Sequence, residues 1–346
     1  MMDWRRLWTL EGGGGCWVSF FSLALAPLEW GYRAAVATRT WAYDTGMLRS
    51  GVPAMPAVAI GNLTVGGTGK TPLTAWLAGE LRSRGRRPAV VTRGYGEDEV
   101  LVHRVLSPDV PVVVSANRMA GVDRAVTRDA DIAVLDDAFQ HRAIHAHAYI
   151  VVVAAEDWDE RPSLLPRGPW REPLSALSRA TLIVVTRKCA AREAAAAVRE
   201  ALAARGFEQP LAQVHLNLDR AYRYTASGGL VGDGEELSDF ETPLAVAGVA
   251  HPERLWKQLA QAGTRVKERW SFADHHRYTR GDGKRLATRA GAGPLLATLK
   301  DAVKLVHVIP DKTAIYVPLQ RVCWEVGRDS LDRLVGQVIE EGKGQG

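Results

Sequence analysis

Short apolar runs separated by amphipathic stretches fill most of this 346-residue chain. Apolar runs rich in β-branched residues predict buried strands, and the amphipathic stretches between them predict helices. In the first part of the chain the predicted strands are 57–60, 89–92, 111–115, 131–135, 149–154, 181–186 and 211–218, and the predicted helices are 74–83, 118–127 and 190–204. Strands that alternate with helices predict right-handed parallel units of an α/β fold.

A second α/β pattern begins at residue 243. It comes after a polar stretch at 228–236 that predicts a turn region. Its predicted strands are 243–248, 265–272 and 295–299, and its helices begin at 251 and 329. We therefore expect three units. They are an N-terminal helical segment in 1–50, a parallel-sheet domain in 51–220, and a smaller α/β domain in 221–346 whose closing helix can pack back on the larger domain.

The first fifty residues differ from the rest because they hold five of the eleven tryptophans. Their apolar run, 16–28, is shorter than the roughly 20 residues that a spanning helix needs, and Pro27 interrupts it. The next stretch predicts an amphipathic helix with four residues on one face: Trp30, Ala34, Ala37 and Trp41. Aromatic residues and arginines around an apolar segment are typical of a helix in the membrane interface. A buried helix pair and a signal or spanning helix are the alternatives.

Composition narrows the class of protein. Hydrophobic residues make up 47% and charged residues 24% of the chain, which indicates a soluble globular core. The net charge of +5 suits an anionic partner, but no basic run or nucleic-acid module motif is present, so we expect no nucleic acid partner. The three cysteines, Cys16, Cys189 and Cys323, are too far apart for a disulfide framework and favour a reducing compartment.

A glycine-rich stretch between the first predicted strand and helix indicates a phosphate-binding loop. Its backbone N–H groups and the helix N-terminus favour phosphate, Lys70 can reach the β- and γ-phosphates, and the Thr71 hydroxyl can bind Mg²⁺. Thr64 stands where the general motif has its first glycine. The predicted nucleotide-binding residues are Thr64, Val65, Gly66, Gly67, Thr68, Gly69, Lys70 and Thr71.

Polar groups also follow other predicted strands, at the sheet edge where ligands of parallel sheets bind. Asp136 and Asp137 close the strand 131–135, where a carboxylate can hold Mg²⁺ or its waters. The acidic stretch 97–99 beside a phosphate loop points to a metal or to proton transfer. In the second half, strand ends carry His275, a possible acid–base group, and Lys300, a possible phosphate contact. Solvated turns and an ordinary helix face are the alternatives.

Six stretches in order resemble the tetraacyldisaccharide 4′-kinase family of lipid A biosynthesis. They are Gly-Asn-Leu-Thr-Val-Gly-Gly-Thr-Gly-Lys-Thr-Pro (61–72), Thr-Arg-Gly-Tyr-Gly (92–96), Asp-Asp-Ala-Phe-Gln-His (136–141), Leu-Pro-Arg-Gly-Pro-Trp-Arg-Glu (165–172), Ala-Asp-His-His (273–276) and Thr-Leu-Lys-Asp-Ala-Val-Lys (298–304). The resemblance implies a P-loop NTPase-like domain and a second α/β lobe with the active site between them. It also implies ATP and Mg²⁺ as cofactors and phosphorylation of the 4′-hydroxyl of a lipid-linked glucosamine disaccharide 1-phosphate, which forms lipid IVA. The expected location is the cytoplasmic face of the bacterial inner membrane, with peripheral attachment.

The resemblance also implies residue roles. Asp98 matches the family's catalytic aspartate, and His275 matches the histidine that works with it. The implied Mg²⁺ residues are Thr71 and Asp136, with Asp137 and Glu172 as helpers. Candidate substrate-binding residues are Arg93, Gln140, His141, Arg171 and Lys300.

Two departures from the family pattern keep other functions open. The segment between Gly96 and Asp98 is shorter than usual, with Val100 in place of a proline, and Ala138 replaces a usual glycine. A catalytically impaired membrane-bound homologue is therefore one alternative. A P-loop switch or assembly ATPase is another, although the Asp-His-His and Lys-Asp-Ala-Val-Lys stretches disfavour it. A guanine-specific GTPase is disfavoured because Thr186-Arg187-Lys188 lacks the aspartate of Asn-Lys-x-Asp.

Overall fold

The structure is a computed structural model that describes residues 16–94, 97–227, 229–310 and 312–343. Its strands are β1 (Ala57–Asn62), β2 (Pro88–Thr92), β3 (Val112–Val114), β4 (Ile132–Asp136), β5 (Ala148–Ala154), β6 (Leu182–Arg187), β7 (Leu211–Tyr224), β8 (Leu230–Glu236), β9 (Leu244–Ala247), β10 (Glu268–Ser271), β11 (Leu295–Ala297) and β12 (Ile315–Val326). Its α-helices are α1 (Cys16–Asp44), α2 (Lys70–Ser83), α3 (Glu97–Leu106), α4 (Arg118–Val126), α5 (Arg192–Ala204), α6 (Pro252–Gln261), α7 (Arg280–Ala290), α8 (Leu299–Leu305) and α9 (Arg328–Lys343). The predicted α/β class is confirmed.

Within the described residues, the strands form a single twelve-stranded sheet. Parallel pairs run from β3 through β2, β4, β1, β5 and β6 to β7, as the alternation of strands and helices predicts. The antiparallel pair of β7 and β12 then connects this part to a second parallel group, β12, β11, β9 and β10. The carboxyl ends of the parallel strands β1, β4 and β6 therefore lie at the same edge of the sheet. Strands β7 and β12 connect this part of the sheet to the second parallel group.

Two strands differ from the sequence-based expectation. The polar stretch predicted as a turn region is strand β8, which pairs antiparallel with an extended β7. Most β8 side chains are exposed, so the segment lacks the buried alternation by which a strand is recognised. Strand β12 was not predicted at all, although it pairs with β7 over most of its length.

The closing helix α9 belongs to the core of the first part of the chain. Leu331, Val335 and Val338 pack in one buried cluster with Val58 of β1 and Leu77 of α2. Strands from the predicted domains 51–220 and 221–346 share one sheet. The boundaries at 51 and 221 stay a prediction.

Helix α1 is continuous through Pro27. The predicted apolar face points away from the protein body: Trp30 is 67% exposed and Trp41 is 56% exposed. The helix is held by polar contacts on its other side, such as the Tyr32 hydroxyl that donates to the Arg171 carbonyl at 2.9 Å. Among the described residues, no helix is both long and apolar enough to cross a membrane. Residues 1–15 of the predicted membrane segment lie outside the described residues.

Candidate active site

The phosphate-binding loop lies between β1 and α2, as predicted. Gly66 and Gly69 have φ values of 121° and 97°, which side chains with a Cβ rarely adopt. Two side chains from β6 and the residues after it hold the loop backbone in place. The Thr186 hydroxyl donates to the Thr68 carbonyl at 2.8 Å. Lys188 donates to the Gly67 carbonyl at 2.6 Å. All eight predicted nucleotide-binding residues line one cleft of about 520 Å³.

Asn62, the last residue of β1, organises the loop and was not predicted to do so. Its side-chain amide donates to the Thr68 hydroxyl at 2.9 Å, and its side-chain oxygen accepts from Lys70 Nζ at 2.9 Å. Its backbone carbonyl accepts from Gln140 at 2.7 Å and from Arg171 at 3.2 Å. Gln140, a candidate substrate residue, therefore supports the loop from beneath.

The two predicted magnesium carboxylates stand directly beside the loop, because β4 is the neighbour of β1. Asp137 forms an ion pair with Lys70 at 3.6 Å and accepts from Arg171 at 2.9 and 3.1 Å. Burial opposes ionisation of Asp137, but the charges of Lys70 and Arg171 hold its pKa below the usual range. Burial also lowers the pKa of Lys70, although the carboxylate of Asp137 opposes that shift.

Asp136 is buried and held by two further side chains. It accepts from the Thr74 hydroxyl at 3.1 Å and contacts His103 Nε2 at 2.8 Å. Burial would raise the pKa of Asp136, and the hydrogen bond and charge of His103 reverse that shift. His103 is fully buried on α3 and was missed at the sequence level. The only signal for it was a lone histidine within an apolar stretch.

Asp98 and His275, which the family resemblance paired, meet in the structure although they are 177 positions apart. His275 Nδ1 lies 3.1 Å from Asp98 Oδ2, and Lys304 Nζ lies 3.8 Å from the same oxygen. Asp98 is 7% exposed, whereas His275 lines the cleft. The hydrogen bond from His275 lowers the pKa of Asp98 to about 2, and the same bond raises the pKa of His275.

This pairing predicts a pH dependence. His275 keeps its proton above its ordinary pKa of 6.5, and the imidazolium–carboxylate pair is lost as the pH rises through the raised pKa. Asp98, with a pKa of about 2, stays ionised across that range. We expect kcat/KM to fall on the alkaline side as His275 loses its proton. NMR titration should place that ionisation above 6.5, and Asp98→Asn should move it down; an unmoved titration would contradict the pairing.

The other predicted site residues lie in different places. Lys300, at the start of α8, and Arg171 line the cleft with the loop. Glu172 is buried in an ion pair with Arg179, and it does not belong to the described lining of the cleft. Arg93 is exposed just after β2. Burial lowers the pKa of His141, and the nearby positive charges of Arg118, Arg39 and Arg93 lower it further. Arg93 and His141 therefore share a positively charged environment. Tyr95 and Gly96 of the matched stretch lie outside the described residues.

Sequence patterns also missed the far wall of the cleft, where both halves of the chain meet. Lys188, Arg254 and Gln258 contribute to it. Burial, with the charge of Arg254 beside it, lowers the pKa of Lys188 to about 8. Glu156 accepts from the backbone N–H groups of residues 188, 189 and 190, and so fixes this wall in place.

The donor atoms suit a magnesium–nucleotide complex. Asp136, Asp137 and the Thr71 hydroxyl supply the hard oxygen ligands that Mg²⁺ prefers, at the mouth of the phosphate loop. Within the described residues, no group of three or more acidic, histidine or cysteine side chains forms a metal cage. Mg²⁺ bound through one or two carboxylates and substrate phosphates needs no such cage.

The fold and the site define a P-loop phosphotransferase, because a phosphate loop and strand-end carboxylates line one cleft together with His275, which contacts the buried Asp98. The family model described as Tetraacyldisaccharide-1-P 4′-kinase matches residues 21–107 and 96–340. The chain belongs to the tetraacyldisaccharide 4′-kinase family.

Individual relatives agree with this family. The chain is 33% identical to a tetraacyldisaccharide 4′-kinase of Halorhodospira halophila over 317 residues, covering 86% of this chain and 88% of the relative. It is 36% identical to one of an Anaeromyxobacter species, covering 82% and 83%. A crystal structure of LpxK from Aquifex aeolicus in complex with ATP superposes with a TM-score of 0.72 and 26% identity, covering 92% of this chain and 99% of that one.

Proposed function

We propose that this chain transfers the γ-phosphate of ATP to the 4′-hydroxyl of a tetraacylated glucosamine disaccharide 1-phosphate. The observation that carries the proposal is the Asp98–His275 pair at 3.1 Å, placed beside a cleft that also holds the phosphate loop. Switch ATPases act on water and need no acid–base pair on a second lobe. Family membership supplies the identity of the acceptor.

Each side chain then has a chemical task. The carboxylate of Asp98 receives the proton of the attacking hydroxyl, and His275 orients that carboxylate. Lys70 and the loop N–H groups hold the phosphates, and Lys300, which lines the same cleft, adds positive charge. Thr71 and Asp136 hold Mg²⁺, with Asp137 beside them. When bound, Mg²⁺ neutralises charge on the phosphates being transferred.

One assay separates this proposal from its rivals. The protein is incubated with Mg-ATP and tetraacyldisaccharide 1-phosphate in detergent micelles, and phosphate is followed on lipid and in solution. Transfer to the lipid supports the kinase. Release of free phosphate alone would indicate a switch ATPase. Intact ATP binding with neither product would indicate a catalytically impaired homologue.

We propose further that α1 attaches the protein peripherally to the cytoplasmic face of the inner membrane. Exposed apolar side chains continue along and beyond this helix: Leu28, Trp30, Trp41, Met47, Leu48 and Val52. Exposed apolar side chains of this kind, with arginines beside them, suit the boundary between head groups and acyl chains. The acyl chains of the acceptor stay in the bilayer, so a surface helix beside the cleft brings the enzyme to its substrate.

Replacing Trp30 and Trp41 together by serine should release the protein from lipid vesicles. Each side chain loses burial worth about 1.5 kcal/mol or more, so we expect at least a ~tenfold weaker partition for each tryptophan. Vesicle cosedimentation measures the effect. Val231→Ser, on exposed strand β8, is the control and should bind like the parent. Equal binding of the double variant and the parent would exclude this face of α1 as the attachment surface.

A further inference from the structure

A second cavity, of about 470 Å³, lies between α1 and residues 161–175. Its volume is within the ~300–1,000 Å³ typical of small-molecule sites. It shares no lining residue with the nucleotide cleft. Three of its lining residues are arginines, Arg33, Arg161 and Arg167, and its one carboxylate among the described lining is Glu29. The wall therefore carries an excess of positive charge.

Glu29 makes this cavity an ordered site. Its side chain is 5% exposed and accepts from Arg33 at 3.0 Å and from Arg167 at 3.3 Å. It also accepts from the Leu164 backbone N–H at 2.9 Å, which ties α1 to the loop. One buried carboxylate thus orients two guanidinium groups. Together with exposed Arg161, the arginines of the lining carry more positive charge than this one carboxylate neutralises. Guanidinium groups arranged in this way favour phosphate, which they can bind through paired hydrogen bonds.

The position of the cavity indicates where the phosphate comes from. Arg33 lies one helical turn after Trp30, on the helix that we propose lies in the membrane interface. The neighbouring Tyr32 bonds to the Arg171 backbone, and the Arg171 side chain contacts Asp137 in the nucleotide cleft. Arg171, which lines the cleft, and Pro173, which lines the second cavity, are two positions apart in the chain, so the two openings lie close together.

We infer that this second cavity binds a lipid phosphate group. Two lipids carry that chemistry: the acceptor, through its 1-phosphate, and an anionic phospholipid, through its head group. The cavity's closeness to the cleft favours the 1-phosphate, and that assignment rests on the proposed function. The cavity would then hold the reducing end of the disaccharide while the 4′-hydroxyl lies in the cleft.

The test compares acceptor with and without its 1-phosphate. Equilibrium binding without ATP, and kcat/KM with ATP, are measured for Arg33→Gln and Arg161→Gln in neutral-detergent micelles with and without phosphatidylglycerol. Arg265→Gln, an exposed arginine outside the cavity, the cleft lining and the proposed attachment surface, is the matched control. Arg39→Gln tests the other end of α1, where Arg39 donates to the Gln140 carbonyl.

We expect each cavity variant to bind the phosphorylated acceptor about tenfold more weakly, with less than a ~twofold change for the acceptor lacking the 1-phosphate. Arg265→Gln should match the parent. If the cavity variants lose binding only to micelles containing phosphatidylglycerol, the inference stands with the phospholipid as the source. Equal losses on both acceptors, no loss at all, or a 1-phosphate effect seen only in Arg39→Gln would overturn it. Binding that depends on the 1-phosphate without any transfer would refute the proposed function and leave this inference intact.

Discussion

Asp98→Asn should lower kcat for phosphorylation of the lipid acceptor by about a hundredfold or more, the range typical of a lost general base. The substitution keeps the shape of the side chain and a hydrogen-bonding partner for His275, but it replaces the basic carboxylate by an amide that cannot accept the proton. The phosphate loop and its supports at Asn62 and Thr186 are untouched. The affinity for ATP should therefore stay within about twofold of the parent, as measured by equilibrium binding.

The neighbouring carboxylate provides a matched control for this variant. Glu99 lines the cleft, unlike the buried Asp98, and burial together with the nearby carboxylates raises the pKa of Glu99. Glu99→Gln should cost less than about tenfold in kcat, because His275 orients the carboxylate of Asp98 and not that of Glu99. If Glu99→Gln proves the more damaging substitution and Asp98→Asn stays active, the base is Glu99 and the paired role of His275 is wrong.

Lys70→Met should produce the second large loss, about 10²–10³ in kcat, which is typical when one positioned donor to a developing charge is removed. Lys70 follows directly after Gly69 of the loop, lies 3.6 Å from Asp137, and its amine bonds to Asn62 at 2.9 Å. Asp137 keeps its contacts with Arg171 in the variant, so the fold should survive. Steady-state kinetics measure the loss, and thermal unfolding checks the fold.

A lysine on the surface serves as the comparison for Lys70. Lys284 is exposed on α7, away from the cleft lining, and Lys284→Met should match the parent in kcat. A loss below tenfold in Lys70→Met, with a normal unfolding temperature, would mean that other cations carry the phosphate contacts. Lys300 and Lys188, which line the same cleft, would be the next residues to substitute.

The sequence predicted best those site residues that come directly after a predicted strand. The phosphate loop, Asp136 and Asp137 follow strands that pairing brings together, because β1 and β4 are neighbours in a parallel sheet. Their juxtaposition could be predicted from the rule that ligands bind at the carboxyl ends of such strands. The Asp98–His275 contact could not be predicted in this way. It joins α3 to a loop in the second part of the chain, and only the family resemblance paired the two residues.

Other features depend on tertiary packing that periodicity does not encode. His103 stands in an apolar stretch, and nothing in its spacing indicates that it reaches Asp136. Arg171 and Glu172 are adjacent in sequence, yet one side chain faces the cleft and the other pairs with Arg179. Strand β8 is polar and glycine-rich, so its pairing with β7 outweighs its low strand propensity.

The position of the new phosphate tests the central claim most directly. After reaction with γ-labelled ATP, the lipid product is treated with mild acid, which releases the anomeric 1-phosphate and leaves a phosphate ester on the 4′-oxygen in place. We predict that the label stays on the disaccharide and that the released 1-phosphate is unlabelled. Label that leaves with the anomeric phosphate, or that appears only as inorganic phosphate, would contradict transfer to the 4′-hydroxyl.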